Sequence, residues 1–174
     1  SNSRSLFLRQ MEFLSTSYIL SIITFTPAAG ALLILLCNRA QVRSIRSLAL
    51  AVTILTFVFS LYLAAHFETG NSDFQFRMDV PWIPSLGAGY SMGIDGVSLF
   101  LILLTTLLSP LAILSSWTIS DRIKEYFVFM LLLETGMIGV FASLDCFLFY
   151  VFWEVMLISM YFLIGVWGGE RRIY

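Results

Sequence analysis

The sequence predicts an all-α integral membrane protein of about five transmembrane helices. Three observations carry this reading. The chain has 174 residues, of which 59% are hydrophobic and 12% charged. A soluble domain is roughly 45–50% apolar and about 25% charged. The mean hydropathy is +0.89, and the apolar excess is gathered in runs long enough to cross a hydrocarbon core of about 30 Å. Between the second and third runs one polar stretch alternates with a period of two.

The spans are read in order as 18–37, 47–66, 97–117, 126–144 and 147–167, a single membrane domain over 18–174. Residues 1–17 are read as an N-terminal tail, in which residues 1–10 are added sequence and Met11 is the native start. Arg4 and Arg9 followed by Ala28-Ala29-Gly30-Ala31 imitate a signal peptide. The apolar run continues to Leu36, too long for such a segment and right for a span. Pro27 and Pro110 lie inside the first and third spans, where a missing N–H bends a helix. From Phe74 to Val80 apolar and polar residues alternate, which argues for a short strand. Pro81-Trp82-Ile83-Pro84 is expected to break it. Asp95, before the apolar run that opens at Val97, reads as a structural helix cap.

Two glutamates lie inside spans. Glu134 is eight residues into the fourth span, about 12 Å deep, and Glu154 lies about 10–12 Å from the opposite face on the fifth. The two differ in depth by about one helical turn, and their facing is not legible. An ionisable residue within a span costs about 2.5–3.5 kcal/mol on insertion scales and is functional by default. The plainer alternative is a hydrogen bond to a neighbouring helix. Tyr150 and Tyr161 share a face with Glu154 and offer hydroxyls, or serve only as packing aromatics. Thr135, Gly139 and Ser143 form a stripe of small residues that permits close helix approach.

Other chemistry is thin. Cys37 and Cys146 fall near opposite faces and suggest neither a disulfide nor a metal site. The only histidine, His66, sits at a helix end. No metal spacing, phosphate loop or nucleophile–base pair appears, and no basic block points to nucleic acid. Ligands for haem or iron–sulfur clusters are too few.

The loops after spans one, three and five carry Arg39, Arg43, Arg46, Arg122, Lys124, Arg171 and Arg172. The other two carry Arg77 alone. Basic residues gather on the cytoplasmic side, so the N-terminus is expected outside and the C-terminus in the cytoplasm.

The fifth span also resembles a known family. Phe152-Trp153-Glu154, Met156-Leu157-Ile158, Met160-Tyr161-Phe162-Leu163-Ile164, Trp167-Gly168-Gly169 and Arg171-Arg172 resemble the antiporter-like subunits of respiratory complex I, in the chain M (subunit 4) branch. Pro81-Trp82-Ile83-Pro84 and the Gly-x-Asp-Gly-x-Ser pattern at Gly93–Ser98 are similar to that family as well. The resemblance covers residues 11–174 and the first third or so of a family member. It implies a β-hairpin on the outer face between helices 2 and 3, and a chain that is inserted in the inner (cytoplasmic) membrane among other complex I membrane subunits.

The resemblance also implies that Glu154 belongs to proton-translocation machinery and pairs with a lysine two helices later. No lysine lies in these five spans, so the partner is expected beyond Tyr174, and this piece is expected not to pump alone. The family usually has proline where this chain has Ser159, which implies a straighter helix. NADH, FMN, iron–sulfur clusters and quinone are expected elsewhere in the complex, with no cofactor here. The rivals are a subunit of a homologous cation/proton antiporter or membrane-bound hydrogenase, and a membrane scaffold that transports nothing.

Overall fold

The computed structural model describes the backbone of residues 2–169 and the side chains from Tyr18 to Gly169. Arg4 and Arg9 as side chains, and Arg171 and Arg172 altogether, lie outside the described residues. Five helices follow one another: α1 (Asn2–Leu36), α2 (Val42–Ala65), α3 (Gly96–Ser115), α4 (Ile123–Ala142) and α5 (Cys146–Trp167). All five are long and apolar enough to cross a membrane. Strands β1 (Gln75–Ile83) and β2 (Ala88–Ile94) form an antiparallel hairpin between α2 and α3.

Several helices run past the apolar spans. α1 continues back to Asn2, since no proline or glycine precedes Pro27. α2 begins at Val42 and takes Arg43 and Arg46 into its first turns. Arginine is a good helix former and nothing there breaks the helix. α4 begins at Ile123, so Lys124 and Glu125 are helical rather than in a loop. Pro27 and Pro110 lie within α1 and α3 without ending them.

The hairpin departs from the sequence reading at one point. Pro81 and Trp82 remain in β1, and only Pro84 ends it, opening a single 3₁₀ turn. Among the described residues β1 has β2 on one side and no strand on the other. A proline is tolerated on such an edge, where its missing N–H breaks no ladder bond. The register shifts next to it, between Pro81 and Ile83.

α4 is the centre of the bundle and touches each of the other four helices. Half of its span is buried, against 17% for α5, which packs on α4 and on the hairpin. The α4–α5 contact is close because α4 presents Gly136 and Gly139. A Cβ on Gly136 would stand 2.8 Å from the Met156 backbone nitrogen, and one on Gly139 would run into the Phe152 ring. Of the expected small-residue stripe, Gly139 makes this contact. Gly136, one turn away and outside that stripe, makes the other.

Each end of the bundle is tied. At one end Lys124 donates to the carbonyls of Leu35 and Cys37, both at 2.8 Å, and so caps the C-terminus of α1. Arg46 donates to the Ile119 carbonyl (2.8 Å) over the Trp117 ring. The Trp167 indole donates to the Asp121 carbonyl (2.8 Å). Arg39 pairs with Glu125 at 2.6 Å, an exposed contact worth little to stability.

At the other end the Asp145 carboxylate caps α5, accepting from Phe147 N (2.8 Å) and Leu148 N (3.1 Å). It also accepts from Gly89 N of β2 at 3.4 Å. Leu144 N donates to the Ser91 carbonyl (2.9 Å), so the α4–α5 turn lies along β2. The Asp95 carboxylate accepts from Ser98 N at 2.8 Å and caps α3.

Two outcomes follow. Gly136→Leu forces a side chain against the α5 backbone and should lower stability by about 1–3 kcal/mol, read as a lower melting temperature of the purified protein in detergent. The Asp145 carboxyl is held below the usual carboxylate range by the Leu148 N–H. Its contribution is complete above that range and is lost as pH falls through the depressed folded value. Asp145→Asn keeps a capping oxygen without the titration, so its melting temperature should fall less steeply on acidification than that of the parent.

Candidate functional site

Two buried apolar clusters stack along the bundle. The hairpin-end cluster includes Leu20, Ile23, Leu63, Ile102 and Ile138. The other includes Ile34, Ile45, Ala49, Ile113 and Leu131. Between them each of the first four helices places polar side chains: Thr24 on α1, Thr53 and Thr56 on α2, Thr105 and Thr106 on α3, Glu134 and Thr135 on α4, all buried. This polar layer at mid-span was missed in the sequence. Its signal was there: threonines at matching depths in helices that alternate direction.

Most of these hydroxyls are engaged locally. Thr53, Thr105 and Thr106 donate to carbonyls one turn back in their own helices, at 2.8–3.1 Å. Ser60 of α2 and Thr106 of α3 share a bond of 2.7 Å across the interface. Two residues are different. Among the described residues, neither carboxylate oxygen of Glu134 and not the hydroxyl of Thr135 has a hydrogen-bond partner, although Glu134 is 2% exposed and Thr135 4%. A buried polar group left without a partner costs about 1–3 kcal/mol, more when charged.

Glu134 lines a cavity of about 240 Å³ between α2, α3 and α4, together with Thr53, Thr105 and Ser109. Thr135 lines a second cavity, of about 460 Å³, bounded by α1, α4, α5 and the hairpin. Glu134 follows Gly136 backwards by two positions, about 200° around the helix. It therefore points away from α5.

Glu154 stands in the same relation to Phe152 on α5. It is about 200° from the buried Phe152 and points away from α4, half-buried among its own helix neighbours. The two carboxylates therefore do not face each other. The close approaches of Gly136 to Met156 and Gly139 to Phe152 set their levels. Glu134 is level with Leu157 and Ile158, three or four residues from Glu154, or about 5–6 Å along the axis.

The Tyr150 phenol, one turn before Glu154, stands beside its carboxylate and is 50% exposed. Tyr161 is 72% exposed, with its ring against Phe162. Asp95 lies at the hairpin end of α3, remote from both glutamates in sequence and engaged in its cap. Among the described residues no group of three or more His, Cys, Asp or Glu is placed to hold a metal ion. Cys37 and Cys146 are both free thiols.

No family model matches the chain. Individual relatives do. It is 46% identical over 160 residues to NADH-quinone oxidoreductase subunit M of Rhodobacter capsulatus, covering 90% of this chain and 31% of that protein. It is 44% identical over 150 residues to NADH-ubiquinone oxidoreductase chain 4 of Chondrus crispus, covering 86% of this chain and 30% of that one. Among solved structures it is similar to a chain of respiratory complex I from Thermus thermophilus, with 27% identity and a TM-score of 0.72 over 88% of this chain and 30% of that chain. It shares its fold with a chain of an archaeal membrane-bound sulfane sulfur reductase, at 19% identity and a TM-score of 0.70. The chain spans about a third of the length of the curated relatives it matches. By sequence and by fold, this multi-pass membrane chain is therefore a homologue of the subunit M and chain 4 proteins of NADH-quinone oxidoreductase, over about a third of their length.

Proposed function

We propose that the chain is part of a proton-translocating membrane subunit of NADH:quinone oxidoreductase, with Glu154 as the proton-carrying group. One observation carries the reading: a span otherwise free of charged residues holds Glu154 on the face turned from α4, in a chain related to subunit M over nine-tenths of its length. A carboxylate there is open to a cationic partner from another part of the protein or another subunit. A proton moving onto a carboxylate–lysine pair switches the charge of the pair, and that switch is the elementary step of transport. Tyr150 orients the carboxylate or passes it a proton. Tyr161 is a supporting polar group about two turns past Glu154, toward the basic end of the bundle. Glu134, in its own cavity on the other side of α4, is a second proton-carrying group.

The oxidation of NADH, with FMN, iron–sulfur clusters and quinone, takes place in other subunits. This chain contributes no redox centre and partners the other membrane subunits. The basic end of the bundle lies in the cytoplasm and the hairpin outside.

In the full-length protein in its complex, Glu154→Gln should reduce proton pumping at least tenfold while the complex still assembles. Pumping undiminished in an assembled complex would favour a scaffold over a transporter. Cys146 lies at the hairpin end and Cys37 at the basic end. A membrane-impermeant maleimide added to intact cells should label Cys146 and spare Cys37. The reverse pattern would invert the proposed orientation.

A further inference from the structure

We infer that the pocket at the basic end of the bundle, between the loop after α1, the start of α4 and the end of α5, binds the headgroup of an anionic phospholipid. Arg122 and Arg39 hold the phosphodiester, and the Phe129–Phe162 ring pair receives the start of the acyl chains. The inference lies outside transport and needs only that the five helices cross a membrane.

The pocket has a volume of about 430 Å³, and its lining includes Arg39, Arg122, Glu125, Phe129, Phe162 and Trp167. Its walls are fixed. The Trp167 indole donates to the Asp121 carbonyl (2.8 Å) and stands edge-on to Tyr126, which holds the end of α5 against the loop before α4. Deeper, the Phe129 and Phe162 rings stack with centroids 4.9 Å apart. Phe129 is two turns along α4 from Arg122, about 10 Å toward the middle of the span. Cations at the rim, with apolar rings below them, follow the order of a phospholipid from headgroup to chain. Tryptophan at this level suits the membrane–water boundary.

Arg122 is the decisive residue. It precedes α4 with φ 45° and ψ 48°, a left-handed backbone that glycine adopts freely and other residues rarely. Among the described residues the ion pairs are Arg39–Glu125 and Arg77–Asp79, and Arg122 is in neither. An arginine in a conformation that suits glycine, lining a pocket without an acidic partner, has donors left for a ligand. Arg39 keeps donors too. It meets Glu125 through one terminal nitrogen at 2.6 Å, and a guanidinium carries five N–H groups. Guanidinium groups bind phosphate through paired N–H donors. Two arginines against one glutamate leave one positive charge in excess, which is the charge of one phosphodiester. A free phosphate carries more charge at neutral pH and has no use for the ring pair. Glu125 repels a second anionic group and accepts from hydroxyls, which fits a glycerol head.

The test uses the full-length protein in its complex, stripped of lipid in neutral detergent. The probe is phosphatidylglycerol with a photoreactive group on an acyl chain, close to the glycerol. It should label the α4 and α5 segments around Phe129 and Phe162. Unlabelled phosphatidylglycerol should displace it, and phosphatidylcholine and inorganic phosphate should not. Arg122→Gln and Arg122→Gly should each weaken the labelling about fivefold, the worth of one arginine at an anionic surface. Arg122→Gly relieves the backbone, so its melting temperature should not fall. Equal displacement by phosphatidylcholine would make the pocket ordinary lipid-facing surface. Displacement by inorganic phosphate would make it a site for a soluble anion. No labelling there would mean that the rest of the chain or another subunit fills the pocket. Labelling undiminished in both variants would remove Arg122 from the site, and a melting temperature lowered in both along with the labelling would make its role structural. Each of these results overturns the inference. None of them depends on whether Glu154→Gln pumps.

Discussion

The contact between α4 and α5 at Gly136 and Gly139 is the constraint from which the rest of the arrangement follows. Within a membrane there is little hydrophobic drive to bring helices together, because lipid tails are as apolar as leucine. Close packing has to supply it. The absent side chains let the α5 backbone and the Phe152 ring come up against α4. That contact sets the rotation of both helices. With Gly136 and Phe152 turned inward, Glu134 and Glu154 are both turned outward, to opposite sides of the pair.

The rotation places the two carboxylates in different surroundings. Glu134 faces α2 and α3, where the hydroxyls of Thr53, Thr105 and Ser109 line a cavity. Glu154 faces away from the described bundle, beside Tyr150. The bundle is layered accordingly, with an apolar cluster at each end and polar side chains between them. Threonine suits such a layer. It returns its proton to its own helix and leaves its oxygen for a neighbour, as Ser60 and Thr106 show across α2 and α3.

The ends of the helices are held by a different means. At the hairpin end one carboxylate, Asp145, satisfies the first N–H groups of α5 and reaches the backbone of β2. Beside it Trp82 packs edge-on against Phe147. The hairpin is pinned to α1 by the Ser21–Tyr90 hydrogen bond of 2.7 Å. Burial raises the Tyr90 phenol above its ordinary range, which keeps it neutral. On the exposed side of the hairpin Asp79 accepts from Arg77 and Ser91, and the Arg77 bond above all lowers its carboxyl. At the opposite end, Lys124 occupies the C-terminus of α1, where the helix dipole favours a cation.

The five spans, the strand that starts the hairpin and the presence of two carboxylates at depth were legible from the residues alone. Their cause is local. Apolar runs of spanning length have no other stable place, and alternation of period two belongs to a strand. Helix ends were less legible, because Arg43, Arg46 and Lys124 are polar but good helix formers, so hydropathy ends before the helix does. The course of β1 through Pro81 was not legible either, since only the two-stranded sheet makes that position an edge. Tertiary structure alone decided the facing of Glu134 and Glu154 and which hydroxyls meet Glu134. Those depend on the angle at which each helix is turned. That angle is set by a packing contact between residues on different helices, and a single strand of sequence does not specify which of its glycines will make it.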